Sequence, residues 1–132
     1  MIPKVAHEVT RKHKSHGSLT IKRMPESITN ANDIRAYLKE YEMLRGKAPD
    51  ILVIDYMDLM TTNAKISAEN LFVKDKFVAE EIRSIANDFN LVIITASQMG
   101  RAAIDAEEHH QGHIQGGISK VNTTDNLIAI IQ

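Results

Sequence analysis

The sequence predicts an α/β fold built on a mostly parallel sheet with helices packed against it. Strands are predicted at residues 51–55 and 91–96, each of which begins with an unbroken apolar run rich in β-branched side chains, typical of strands buried on both faces of a parallel sheet. Residues 68–89 lie between these runs and carry apolar side chains at helical spacing, as a crossover helix does. The chain has 132 residues, of which 43% are hydrophobic, so one domain with a real core is expected.

Two short elements are predicted before residue 26. Residues 4–14 favour a basic, weakly amphipathic helix, and residues 19–22 favour a short edge strand. Pro25 ends this strand because proline cannot donate a hydrogen bond to a β-ladder.

A clearer helix is predicted over residues 31–45. Its apolar side chains recur at three- and four-residue spacing and form one stripe: Ile34, Tyr37, Leu38, Tyr41 and Leu44. Asn30 or Asn32 is suited to cap its start, and Gly46 is suited to end it. The two tyrosines have rings that stack on nucleic-acid bases, but their place on the stripe favours a role in the core.

The second half of the chain predicts one long helix and one further strand. Ser67 is expected to cap the helix over residues 68–89, and residues 127–131 are expected to form the last buried strand. The inward side of the helix is predicted to carry Leu71, Phe77 or Val78, Ile82, Ile85 and Phe89. Its acidic side chains, Asp75, Glu80 and Glu81, are predicted to lie mainly toward solvent.

Asp55 and Gln98 are the candidate functional residues. Each follows an apolar run, and in open α/β sheets the reactive groups lie just beyond the carboxyl ends of the strands. An acid in this place holds metal-bound water beside a phosphate in nucleoside triphosphatases, and a glutamine on a neighbouring strand orients around a terminal phosphate. The pair therefore predicts a nucleotide-dependent activity.

Four stretches together resemble the DnaB-type replicative helicases, most closely those of T-even-type phages. Residues 51–60 (ILVIDYMDLM) resemble the Walker B segment of this family, and residues 92–101 resemble its glutamine motif. Residues 17–25 and the helix leading to Pro49-Asp50 resemble the stretch that these helicases carry before Walker B. The resemblance extends from about residue 8 to the end, and the shared order and spacing make it specific.

This resemblance implies a RecA-like motor domain and a function. The complete protein would unwind duplex DNA at a replication fork as a hexameric ring of helicase subunits, using ATP and Mg²⁺. Asp55 would be catalytic and hold Mg²⁺ through water, and Gln98 would couple the terminal phosphate to a DNA-facing loop. Arg101 is the candidate contact to single-stranded DNA. The implied location is the cytoplasm of a bacterial or phage-infected cell.

Several parts of the family pattern are absent from these 132 residues. The phosphate-binding loop G-x-x-x-x-G-K-[ST] does not occur, and neither do the family's catalytic-glutamate strand nor its lysine and arginine-finger segment. We therefore expect an incomplete P-loop NTPase core, a partial motor domain over residues 1–132 that holds the Walker B and glutamine portion. By itself it is expected to bind no ATP tightly and to be inactive.

The missing strands also lead to an expectation about the sheet. The remaining strands should close up and pair in sequence order, 19–22, 51–55, 91–96 and 127–131. Right-handed crossovers would then place both long helices on the same face. The opposite apolar face would lack a cover, so self-association of the isolated chain is expected.

Two other functions stay open at this point. The chain fits a catalytically inactive binding or assembly module that modulates a helicase ring or holds single-stranded DNA. It also fits other RecA-like ATPases, although the Asp55-Tyr56 pair and the spacing from Gln98 to Arg101 favour the helicases.

Charge and composition limit the classes of partner that the chain is expected to bind. Residues 1–47 carry a net charge of +5 and residues 48–132 a net charge of −6, so the first third suits phosphate backbones, or is simply a solvated surface. The polar stretch between Gln98 and Gly117 contains His109, His110 and His113, a weak alternative zinc site. The absence of cysteine excludes disulfides and thiolate zinc sites. No apolar run reaches membrane-spanning length, so no membrane partner is expected.

Overall fold

The computed structural model describes residues 17–65, 71–98, 120, 122–128 and 130. The elements, in chain order, are helix α1 (Ala31–Arg45), strand β1 (Ile51–Ile54), a 3₁₀ turn (Met57–Leu59), helix α2 (Leu71–Phe89) and strand β2 (Val92–Thr95). The two strands are parallel, with Ile51 opposite Val92 and Ile54 opposite Thr95. The predicted α/β class is confirmed.

Helix α1 begins and ends where the sequence predicts, and its caps explain why. Asn30 is the N-cap: its side-chain oxygen accepts hydrogen bonds from the backbone N–H groups of Asn32 and Asp33. The Asp33 carboxylate in turn accepts from the Asn30 N–H at 2.9 Å, which completes a capping box. Gly46 ends the helix at φ 78°, a left-handed conformation that glycine adopts without steric cost.

Both helices pack on one face of the sheet, as predicted. The buried cluster joins Ile34 and Leu38 of α1 to Val78, Ile82 and Ile85 of α2. The side chains that point from the sheet into this cluster are Leu52, Ile54 and Ile93. Burial of these aliphatic groups, at about 1.5–3 kcal/mol for each full side chain, is what holds the helices to the strands.

The opposite face of the sheet is exposed, as the missing strands led us to expect. Burial of the strands on both faces, which the apolar runs alone predicted, does not occur. Ile51, Val53, Val92 and Ile94 are between 53% and 65% exposed. Because Ile51 lies opposite Val92 and Val53 opposite Ile94, the four side chains form one apolar square. We call these four residues the open face. The apolar runs indicate that the strands are hydrophobic, but they do not indicate which parts of the chain cover each face.

The predicted four-stranded order was also wrong for the part of the chain that the structure describes. Residues 19–22 form no strand, and neither do Leu127, Ile128 and Ile130, which are exposed. Leu19 and Ile21 instead line, together with β1, a groove of about 440 Å³. An unpaired strand edge is costly only when water is excluded, and this groove is open, so the sheet need not close up.

Smaller differences concern the helices. Leu44, predicted on the α1 stripe, is exposed, while Tyr37 and Tyr41 are half-buried and line the groove beside β1. In α2 the inward residue is Val78 rather than Phe77. The predicted helix over residues 4–14 and the Ser67 cap lie outside the described residues.

Candidate functional site

The carboxyl ends of β1 and β2 are joined by Thr95, the last residue of β2. Its hydroxyl donates to the carbonyl of Ile54 at 2.9 Å and accepts from the backbone N–H of Met57 at 3.1 Å. These two bonds bracket Asp55 and Tyr56, whose peptide bond is cis. The turn that carries Asp55 is therefore held to the neighbouring strand from both sides.

Asp55 lies at the solvent-facing end of β1, where its side chain is exposed and borders the groove. Within the described residues, no hydrogen bond or ion pair occupies its carboxylate. A carboxylate of this kind suits Mg²⁺, which keeps several of its waters and takes one or two carboxylates from a protein. Asp55 can thus supply one carboxylate for such a metal, and these residues include no loop that would cradle a triphosphate.

Gln98 is held at this edge through both its backbone and its side chain. Its backbone N–H donates to the Asp58 carboxylate at 3.0 Å, and its side-chain amide donates to the Tyr56 hydroxyl at 3.0 Å. The structure therefore brings Gln98 to the residue that directly follows Asp55. Asp55 and Gln98, the two residues predicted from the sequence, therefore belong to one connected site.

The centre of this connection is a charged cluster that the sequence did not reveal. Lys120 is only 4% exposed, and its ammonium donates to the carboxylates of Asp58 and, at 3.0 Å, Asp75. Lys74 lies 3.4 Å from Asp75 and donates to the carbonyls of Asp58 and Met60. Two lysines thus neutralise two aspartates, as buried charges require. We call Asp58, Lys74, Asp75 and Lys120 the four-charge cluster.

Comparison with protein families shows which family the chain resembles. The model of the DnaB-like helicase C-terminal domain matches residues 3–113, most of the chain. The chain belongs to this family. A DnaB-like replicative helicase of Enterobacteria phage T4 is 28% identical to it over 126 residues, which cover 95% of this chain and 26% of that protein. The chain therefore spans about a quarter of the length of its curated relative.

In this DnaB-like chain, Glu80 is exposed as predicted, but the other two acidic side chains of α2 are placed differently from the prediction. Asp75 is not on the solvent side but within the four-charge cluster, with its side chain 14% exposed. Glu81 accepts hydrogen bonds from the Thr62 hydroxyl at 2.8 Å and the Asn63 backbone N–H at 3.0 Å. Glu81 ties α2 to the segment that follows β1, and Asp75 ties α2 to Lys120, so helical spacing alone misjudged both residues.

Some predicted site residues of this family member lie outside the described residues. These are Arg101 and the three histidines His109, His110 and His113. Their DNA-binding and zinc-binding roles therefore stay predictions. Within residues 17–65, 71–98 and the short described stretches after them, no group of three or more histidine or acidic side chains is placed to hold a metal ion.

Four residues of this site were missed from the sequence: Asp58, Lys74, Thr95 and Lys120. Asp58 follows Asp55 by three residues, a spacing that one 3₁₀ turn brings back over the strand end, so it carried a usable signal. Thr95 looked like an ordinary β-branched strand residue. Lys120 gave no local signal because its partners are distant in sequence.

The segment after Lys120 is attached to α2 as well. Arg83 donates to the carbonyl of Thr123 and to the carboxylate of Asp125, each at 2.9 Å. The hydrogen bond to Asp125 and its negative charge raise the pKa of the Arg83 guanidinium above its usual value.

Among the described helices of this family member, none is long and apolar enough to cross a membrane.

Proposed function

We propose that residues 1–132 form part of the ATP-driven motor domain of a hexameric replicative helicase, which unwinds duplex DNA in the complete protein. The observation that carries this is the Gln98–Tyr56 hydrogen bond at the carboxyl ends of two parallel strands, in a chain that matches the DnaB-like helicase domain. It links a glutamine to the turn that presents a carboxylate at the exposed end of a strand.

Asp55 is the proposed Mg²⁺ residue. Its exposed carboxylate lies beyond β1, where open α/β sheets bind their ligands. Asp55 would hold Mg²⁺ through a water bound to the ion, and the charge of the ion would offset the negative charge of the ATP phosphates. The phosphate-binding lysine and loop amides must come from outside these 132 residues, because their motif is not in the sequence.

Gln98 is the proposed coupling residue, and Arg101 the proposed contact to single-stranded DNA. Gln98 touches Tyr56 on one side and lies three residues before Arg101 on the other. A change at the nucleotide would reach Gln98 through the Asp55–Tyr56 turn and continue to the residues after Gln98. The proposed setting is the cytoplasm of a bacterial or phage-infected cell.

A chimeric helicase tests this proposal. The matching quarter of the phage T4 relative would be replaced by this chain, which restores a phosphate-binding loop. We expect Asp55→Ala to abolish ATP hydrolysis and Gln98→Ala to abolish its stimulation by DNA while basal hydrolysis persists. Glu80→Ala, an exposed change on α2, is the control. DNA-stimulated hydrolysis that survives in the Gln98→Ala chimera would remove Gln98 from the coupling role.

The second candidate is an inactive assembly module that binds a helicase ring or another copy of itself. It is favoured by the open face, four large aliphatic side chains that are more than half exposed. Apolar surface of this kind commonly marks a protein–protein contact. The chimera separates the two functions, since an assembly module would not support hydrolysis that depends on Asp55.

A further inference from the structure

We propose that Asp58 is a positioning residue that fastens the chain on both sides of residues 99–119 to the end of β1. One of its carboxylate oxygens, Oδ2, accepts the backbone N–H of Gln98 at 3.0 Å. The other, Oδ1, accepts a hydrogen bond from the ammonium of Lys120. Gln98 directly precedes this segment and Lys120 directly follows it.

The charges make this attachment stronger than neutral hydrogen bonds would. Both bonds to Asp58 are accepted by an ionised oxygen, and charge-assisted bonds are roughly twice as strong as neutral ones. Lys120 is almost fully buried, so water competes little for its ammonium. Ser97 supports the same geometry, since its hydroxyl lies 3.2 Å from both Asp58 oxygens and 3.1 Å from the Lys120 ammonium.

The cluster also has a rigid base. Asp75 and Lys74 come from the first turns of α2, and Lys74 donates to the carbonyl of Asp58 within the 3₁₀ turn and to that of Met60 just after it. The backbone that carries Asp58 is therefore held to α2, and Asp75 binds the same Lys120 ammonium as the Asp58 carboxylate. Because Asp58 is three residues from Asp55, the Asp55 turn and both flanks of residues 99–119 are held as one unit.

This inference rests on the proposed function for its meaning, since it explains how a nucleotide signal at Asp55 reaches a DNA-facing segment. Its geometry does not depend on that function. Hydrogen bonds to the residues that surround a functional group can hold that group within about 0.5 Å of its working position. Asp58 itself touches no proposed substrate, and it acts through Gln98 and Lys120.

Nuclear magnetic resonance on the whole 132-residue chain tests the positioning role. In Asp58→Asn we expect the Gln98 backbone amide to exchange with solvent at least tenfold faster and the Lys120 ammonium signal to disappear. The backbone amide of Leu38, in the α1 core, should keep its protection, which separates local release from general unfolding. Asp50→Asn is the matched control, because that carboxylate is exposed and, within the part of the chain that the structure describes, pairs only with exposed Lys47.

A milder variant keeps the test decisive if Asp58→Asn does not fold. Ser97→Ala removes one hydroxyl from the cluster and should accelerate Gln98 exchange severalfold with no effect at Leu38. Unchanged Gln98 exchange and an unchanged Lys120 signal in the folded variants would overturn the proposal. Equal acceleration at Gln98 and Leu38 would also overturn it, because Asp58 would then act only on global stability.

The chimeric helicase supplies the functional arm. There, Asp58→Asn should lower the stimulation of ATP hydrolysis by DNA at least tenfold relative to Asp50→Asn. If hydrolysis in the chimera does not depend on Asp55, the proposed motor function fails, while the resonance data still decide the role of Asp58. If hydrolysis depends on Asp55 but DNA stimulation is unaffected by Asp58→Asn, the positioning role fails and the motor function stands.

Discussion

The side-chain amide of Gln98 donates a hydrogen bond to the Tyr56 hydroxyl over 3.0 Å. These residues are distant in sequence, and they meet because β1 and β2 are parallel neighbours whose carboxyl ends coincide. Tyr56 directly follows Asp55, so the bond connects Gln98 to the neighbour of the other residue that the sequence predicts to be functional.

Tyr56→Phe should weaken the coupling without weakening the fold. The variant removes the acceptor of the Gln98 amide, but this bond is exposed, so its loss should change the free energy of unfolding by no more than about 0.5 kcal/mol. Denaturant titration of the chain measures stability, and DNA stimulation of the chimera measures coupling. Full DNA stimulation in the Tyr56→Phe chimera would show that this bond carries no signal.

Thr95→Val should destabilise the chain and disturb the Asp55 turn. Valine keeps the shape of threonine but removes the hydroxyl that binds the Ile54 carbonyl and the Met57 N–H. A lost hydrogen bond that leaves a partner unsatisfied costs about 1–3 kcal/mol, and the partial exposure here favours the lower end. Urea unfolding measures this loss. Thr20→Val, at an exposed position outside any helix or strand, is the control and should change stability little.

The isolated chain should bind ATP no more tightly than about 1 mM, which corresponds to roughly −4 kcal/mol, and should not hydrolyse it. Asp55 offers one carboxylate for a metal, but these residues contain no phosphate-binding loop to supply the remaining donors. Isothermal titration with ATP and Mg²⁺ measures the affinity. Micromolar binding would contradict the incomplete-site interpretation.

Single-stranded DNA should bind weakly, without sequence preference and with a strong dependence on salt. The reason is the net charge of +5 over residues 1–47, which would release counterions from the DNA backbone. Fluorescence anisotropy with labelled oligonucleotides at low and high salt measures this. Binding that is equally tight at high salt, or absent at low salt, would count against an electrostatic contact.

Self-association should depend on the open face. Val53→Lys places a charge in the middle of this apolar surface and should shift the sedimentation profile toward monomer. Ile28→Lys is the matched control, because Ile28 is 67% exposed against 65% for Val53 but does not lie in the sheet. A monomeric starting chain at tens of micromolar, or equal effects of the two variants, would rule out the open face as the contact.

Local patterns in the sequence determined the elements and the two strand-end residues. The capping residue Asn30, the terminating Gly46 and the apolar runs that became β1 and β2 act over a few neighbours, so they are visible without tertiary contacts. Asp55 and Gln98 could be predicted for the same reason, since each simply ends an apolar run.

Only the tertiary structure decided which apolar runs become strands and which charges are paired. Hydrophobicity predicted strands at residues 19–22 and 127–131, but a strand exists only if another strand lies at hydrogen-bonding distance, and an apolar run does not specify its neighbour. The burial of Lys120 depends on Asp58 and Asp75, which lie far from it along the chain. This contact forms only when the strands and the helix between them are packed together, so no local sequence pattern predicts it.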